Sequence, residues 1–187
     1  MIDIVAVIMA SGFSSRMGKD KLLLKHNGKE IYKYTVDLVD SIDFYKKIIV
    51  TNNNYIKEYA DRLGFSIIEN PNALNGQSES IILGASCCIE KPHMFFVSDM
   101  PFLTRNSVIR LIDNFNNTKI VMPVINDRTK NPVIFTKSYN YKLKNLKGDN
   151  GGKSVIDYKD VLKVRFYNEK EFVDIDTKEN YEKYCSF

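Results

Sequence analysis

The chain opens on an apolar run rich in β-branched residues, Ile4–Met9, that breaks at Ala10 into small, polar and basic positions. A short apolar run bounded by turn residues predicts a buried strand. Ile31–Val39 places its apolar residues at helical spacing, Lys47–Thr51 ("KIIVT") is a second short strand, Tyr55–Leu63 is helical, and Phe65–Glu69 is strand-like. Ser78–Ile89 predicts a helix with Ile81, Ile82, Ala85 and Cys88 on one face. "HMFFVSD" is a strand running into an acidic turn, and Thr104 is a good N-cap for a helix over Arg105–Phe115. "KIVMPVI", "NPVIF", "DVLKVRFY" and "FVDI" predict further strands, and Thr177 caps a closing helix. Strands alternating with helices argue for an α/β fold around a mainly parallel sheet. Ligands of such sheets bind at the carboxyl ends of strands. Three polar loops follow apolar strands there: 10–21, 98–101 and 174–177.

Composition narrows this picture without redirecting it. At 187 residues, 44% of them apolar, the chain can bury one real core and is expected to form one domain. No apolar run approaches the roughly 18 residues of a membrane span. The chain enters its first strand without a basic region or a small-residue cleavage site, so secretion and membrane insertion are not expected. Cys87, Cys88 and Cys185 lack metal-ligand spacing and are expected to be reduced thiols, consistent with a cytoplasmic protein. A net charge of +4, with lysines and acids interleaved, does not suggest a nucleic-acid-binding face.

The chemistry is concentrated in the first loop. Glycines after a strand let backbone N–H groups approach phosphate oxygens. A dinucleotide fingerprint is excluded because Gly12 and Gly18 are too far apart, and because "TNNN" ends the second strand where a ribose-binding acid should stand. A Walker A loop is excluded by one residue too many and by Asp20 in place of a hydroxyl. A plain solvated loop leaves Arg16 and Lys21, flanking glycines beside a core strand, without a reason.

"MASGFSSRMGKDKLLL" (Met9–Leu24) resembles the signature of the MobA-like nucleotidyltransferases, and most closely that of the molybdenum cofactor cytidylyltransferases. Five further stretches resemble family motifs in the same order. They are "NGQSESIILG" (Asn75–Gly84), "SDMPFL" (Ser98–Leu103), "NPVIF" (Asn131–Phe135), "GDNGGKS" (Gly148–Ser154) and "DIDTKENY" (Asp174–Tyr181). The sequence departs from the family at Ser11, Ser98, Lys130, Gly152–Lys153 and Lys178, mostly in the later motifs. The resemblance implies a Rossmann-like three-layer sandwich, the nucleotidyltransferase fold. Its first half, about residues 1–100, would bind nucleotide, and about 101–187 would bind the acceptor.

The implied reaction attacks the α-phosphate of a nucleoside triphosphate in line and releases pyrophosphate, which is chiefly a matter of positioning and charge neutralisation. CTP, or another triphosphate, would be the donor and molybdopterin the acceptor, with a molybdenum hydroxylase of the xanthine dehydrogenase type downstream. Ala10, Ser11, Gly12, Ser15, Gln77 and Ser78 are the expected nucleotide contacts, Gln77 and Ser78 near the base. Arg16 offers a planar fork to the departing pyrophosphate, and Lys21, expected to lie outside the core, a point charge to the α-phosphate. Asp99 needs a cationic partner at the end of an apolar strand, and Mg²⁺ provides one. Asp174 is the candidate second metal ligand, with Asp176 the alternative. Asn131, Pro132, Gly148, Asp149, Gly151 and Lys153 would meet the acceptor. An acceptor phosphate is already ionised at neutral pH, so no general base is required, and neither His26 nor His93 sits in a motif. The rival expectations are a guanylyltransferase, a transferase acting on another phosphorylated acceptor, and a non-catalytic cofactor carrier.

Overall fold

The computed structural model describes residues 1–12, 20–147 and 151–185. Its elements in chain order are β1 (Ile2–Met9), a short hairpin of β2 (Lys25–His26) and β3 (Lys29–Glu30), α1 (Ile31–Asp40), β4 (Phe44–Val50), α2 (Asn54–Arg62) and β5 (Ser66–Ile68). There follow α3 (Gln77–Ser86), β6 (His93–Val97), α4 (Arg105–Asp113), β7 (Ile120–Ile125), β8 (Arg128–Thr129), β9 (Val133–Phe135), α5 (Asn140–Lys144), β10 (Val161–Arg165) and α6 (Lys178–Tyr184). The main sheet runs β10-β7-β9-β6-β1-β4-β5, with β8 folded back on β7. Every pairing in it is parallel except those of β9 and β8, which run antiparallel to their neighbours.

The central strand β1 alternates its side chains between two cores, as the two-residue period of a strand demands. Ile4, Ala6 and Ile8 pack with Val36 and Val39 of α1, Ile56 of α2, and Val108 and Leu111 of α4. Val5 and Val7 pack with Ile81 and Ala85 of α3 and Leu143 of α5. The sheet is therefore covered by helices on both faces. Gly84 lets α3 lie unusually close to β1, since a Cβ there would meet Val7 Cγ1 at 2.6 Å. Two helices start at the caps that the sequence signals, Thr104 accepting from Ser107 N–H and Thr177 from Asn180 N–H, and α2 starts behind Asn53, which accepts from the N–H groups of Tyr55 and Ile56.

Three expectations change. The helices predicted over Ser78–Ile89 and Arg105–Phe115 end at Ser86 and Asp113. "FVDI" forms no strand: Phe172 closes a 3₁₀ turn, and the following segment makes a single ladder-like bond, Ile175 N–H to Asp99 O at 2.9 Å. The reason is that β6 already has β1 on one side and β9 on the other, so only the end of β6 is free to accept a partner. That bond brings 174–176 over the carboxyl end of the sheet. Among the described residues no helix is long and apolar enough to cross a membrane.

Candidate active site

A cleft of about 570 Å³ opens where β1 and β6 end. Its wall includes Ser11, Gly12, Lys21, Gln77, Asp99, Asn131 and Asp174, so expectations drawn from five motifs meet in one place. Ser98 stands where the family has glycine. Its hydroxyl donates to Met9 O at 2.9 Å and so ties the ends of β1 and β6 together.

The charged side of the cleft is built around Lys21. Asp20 opens the 3₁₀ turn Lys21–Leu23 by accepting from Leu22 N–H, and takes a further bond from Asn53 Nδ2 at 2.8 Å. This anchors the turn to the end of the second long strand. Lys21 Nζ then lies 2.5 Å from Asp99 Oδ2 and 2.5 Å from Asp176 Oδ1. Lys21 belongs to none of the hydrophobic core clusters, as expected, yet only 17% of its side chain is exposed, because it is the counter-ion of a carboxylate that is itself 14% exposed. Burial works against the Lys21 ammonium, but Asp99 and Asp176 outweigh it and hold its pKa above the ordinary 10.5. Burial pushes the Asp99 carboxyl upward against the pull of Lys21, with Asp174 and Asp176 adding to the rise. Asp174 is raised by burial too, against Lys130 at 3.4 Å.

The residues present fit a hard divalent cation. Asp99 Oδ1 is buried and has no hydrogen-bond partner among the described residues. The carboxylates of Asp174 and Asp176 line the same cleft although their segment is not a strand. Among the described residues no three His, Cys, Asp or Glu side chains stand preassembled as a ligand set. That suits Mg²⁺, which is commonly held by one or two carboxylates and completed by substrate phosphates and water.

The other side is uncharged. Gln77 begins α3 behind Gly76, whose φ of 102° is a left-handed conformation that glycine tolerates best. Ser78 is buried and does not line the cleft; Ser80 does, and Leu74, 84% exposed, stands at the mouth. Ser80 was missed by the sequence reading, although its spacing of three from Gln77 puts both on one helical face. Ala10 is buried behind the wall, its N–H given to Val50 O and its carbonyl taking the Thr51 hydroxyl. Gly151 abuts Gln77, for a Cβ there would sit 3.4 Å from Oε1. Pro132 is buried, while Lys153 reaches Thr129 O at 3.3 Å and is absent from the cleft wall. Ser15, Arg16, Gly148 and Asp149 lie outside the described residues.

A mainly parallel α/β sheet with a glycine, a lysine and a carboxylate at its carboxyl edge places the cleft where such sheets bind their ligands, nucleotides among them. Residues 6–164 match the MobA-like NTP transferase domain, and the chain belongs to that family. A probable molybdenum cofactor guanylyltransferase from Pyrococcus horikoshii is 24% identical over 62% of this chain, which spans 58% of that relative's length. The molybdenum cofactor cytidylyltransferase of Escherichia coli is 25% identical over 97% of this chain and 95% of its own. Rv0371c from Mycobacterium tuberculosis, solved in complex with manganese, superposes with a TM-score of 0.76 at 19% identity, covering 98% of both chains.

Proposed function

We propose that the protein transfers a cytidylyl group from CTP to the phosphate of molybdopterin carrying molybdenum, in the cytoplasm, for delivery to a molybdenum hydroxylase. The observation that carries this reading is the near end-to-end likeness to the E. coli cytidylyltransferase, where the P. horikoshii guanylyltransferase aligns over much less. In the reaction an oxygen of the acceptor phosphate bonds to the α-phosphorus. The bond to the α–β bridging oxygen breaks, and pyrophosphate leaves with the electron pair. Lys21 and Gly12 both line the cleft; in this reading Lys21 would leave its carboxylates for the α-phosphate as charge builds there, and the Gly12 backbone would meet the outer phosphates. Asp99, with Asp174 or Asp176, would hold a divalent cation, which when bound supplies positive charge to the triphosphate. Asn131, which lines the cleft, and Gly151, which abuts Gln77, would meet the acceptor. Both histidines are engaged elsewhere, His26 with Cys185 O and His93 with Asn140, which agrees with a reaction that needs no base.

The test is pyrophosphate release with each of the four triphosphates, with and without molybdopterin. Release with CTP that depends on molybdopterin is the expected result. Preference for GTP would favour the second reading, a guanylyltransferase, which the P. horikoshii relative supports. Release that ignores molybdopterin would point to another acceptor.

A further inference from the structure

Behind the uncharged wall of the cleft lies a buried polar knot in which nearly every hydrogen-bonding atom is accounted for. Asn70, 1% exposed, is clamped through its backbone: its N–H donates to Asn52 Oδ1 and its carbonyl accepts from Asn52 Nδ2, both at 2.8 Å. Its side-chain oxygen accepts from Asn72 N–H at 3.1 Å. A backbone N–H can only donate, so the orientation of the Asn70 amide is fixed, and its NH₂ group must face the other way. There it meets Ser11 Oγ at 2.9 Å and Ser80 Oγ at 3.3 Å, and the two hydroxyl oxygens are 2.7 Å apart.

The valences of that triangle can be counted. The two serine oxygens lie too close together to take separate, divergent N–H bonds, so both accept from Asn70 by sharing its hydrogen. One of them donates to the other. The serine that receives both hydrogens has filled its lone pairs and keeps an unspent O–H. The donating serine keeps one unspent lone pair. Neither hydroxyl has a further partner among the described residues, and both serines line the cleft. The wall therefore presents one donor and one acceptor side by side. Reversing the Ser11–Ser80 bond exchanges their order and costs no hydrogen bond.

We infer that Asn70, which does not touch the cleft, is the positioning residue that makes Ser11 and Ser80 a donor–acceptor reader of a nucleobase edge. The inference rests on the nucleotidyltransferase reading of this cleft. The serines line the cleft together with Gln77 and Leu74 and carry no charge, and neutral polar groups beside an apolar side chain suit a base. Asparagine at 70 is what keeps the pair mixed. A carboxylate in its place would accept from both hydroxyls, leave no O–H for the ligand, and present lone pairs only. Such a wall favours an edge with adjacent donors, as guanine's N1–H and N2–H₂, over the mixed edge of cytosine.

The experiment measures binding of CTP, GTP and pyrophosphate, each with magnesium, by calorimetry on wild type and Asn70→Asp. The added negative charge weakens all anions alike, so the ratio of CTP to GTP affinity is the quantity read. That ratio should move toward GTP by roughly tenfold or more, the scale on which a site rejects a ligand that leaves polar groups unpaired. A ratio that stays at its wild-type value while all three ligands weaken together would make Asn70 a structural residue and overturn the inference. If Asn70→Asp does not fold, Asn70→Ala is combined with Ser11→Ala and Ser80→Ala. Asn70→Ala should change the ratio in wild type and leave it unchanged once both serines are gone. Additive effects would refute the role. A wild type that prefers GTP would sink the cytidylyl reading alone, because the shift on mutation is measured from whatever ratio the wild type has.

Discussion

Replacing Lys21 by alanine tests the charged side of the cleft most directly. The substitution strands Asp99, whose side chain is 14% exposed, and removes one partner of Asp176, which is 51% exposed. Removing one partner of a buried ion pair costs about 3–5 kcal/mol, because the survivor is an uncompensated charge. The Asp176 contact adds little, since exposed pairs are worth about 0–1 kcal/mol. Asp99 is mostly rather than fully buried and can bind a proton, so a loss near the lower end, about 3 kcal/mol at pH 7.5, is expected. For a chain of this size that corresponds to roughly 6–12 °C in Tm. The sign of the pH dependence follows from the site. Burial raises the Asp99 carboxyl, and Lys21 is the cation among the described residues that opposes the rise. The folded variant then binds a proton more tightly than the unfolded chain does. Its deficit against wild type should shrink as pH falls toward the carboxylate range and be largest above it. Urea unfolding of wild type, Lys21→Ala, Asp99→Asn and the double variant between pH 5 and 8 supplies the measurement. The double variant should recover about 1–2 kcal/mol of the single loss, because its orphan charge is gone. Turnover should fall on the order of 10²–10³-fold, the usual effect of removing one preorganised charge. Additive stabilities, together with a loss under about 0.5 kcal/mol, would show that the pair is not coupled in the folded protein.

Asp99→Asn should abolish cation-dependent nucleotide binding, read by manganese EPR with CTP present; equal manganese affinity in both proteins would make Asp99 structural. His93 is fully buried, and burial lowers its pKa to about 4 despite its bond to Asn140. Stability should therefore fall as pH drops from 6.5 to about 4, by about 3 kcal/mol in all, and His93→Gln should flatten that limb in urea titrations. Gly84→Ala forces a methyl against Val7 and should cost about 1–3 kcal/mol by thermal unfolding; an unchanged midpoint would mean that α3 moves aside freely.

Much of this was legible because the signals were local. β1, α1, α2 and α4 follow from the apolar period of each segment, with the Thr104 cap marking the start of α4. Gly12, Lys21 and Asp99 stood out because polar residues ending apolar strands need a reason. What escaped the sequence was non-local. Lys21 meets Asp99 and Asp176 across 78 and 155 residues, and no spacing rule announces such a pair. "FVDI" carries strand propensity, but β6 has no open edge for it. The asparagines of "TNNN" read only as a missing acid, yet Asn52 fixes Asn70 and Asn53 holds Asp20. Ser78 and Ser80 differ by two positions on a helix, enough to turn one into the interior and the other into the cleft.

The contact of Gly84 with Val7 has a consequence for anyone transplanting base preference among relatives. β1 leads into Ser11 and α3 carries Ser80, and the two elements touch too closely to admit a methyl group. The reading wall is thus a strand and a helix locked in one setting. A chimaera that imports residues 75–84 alone inherits a wall cut for a different strand. Importing the segment together with residues 2–12 and 70 keeps the fit, and so makes the smallest exchangeable cassette a spatial unit drawn from three separate parts of the chain.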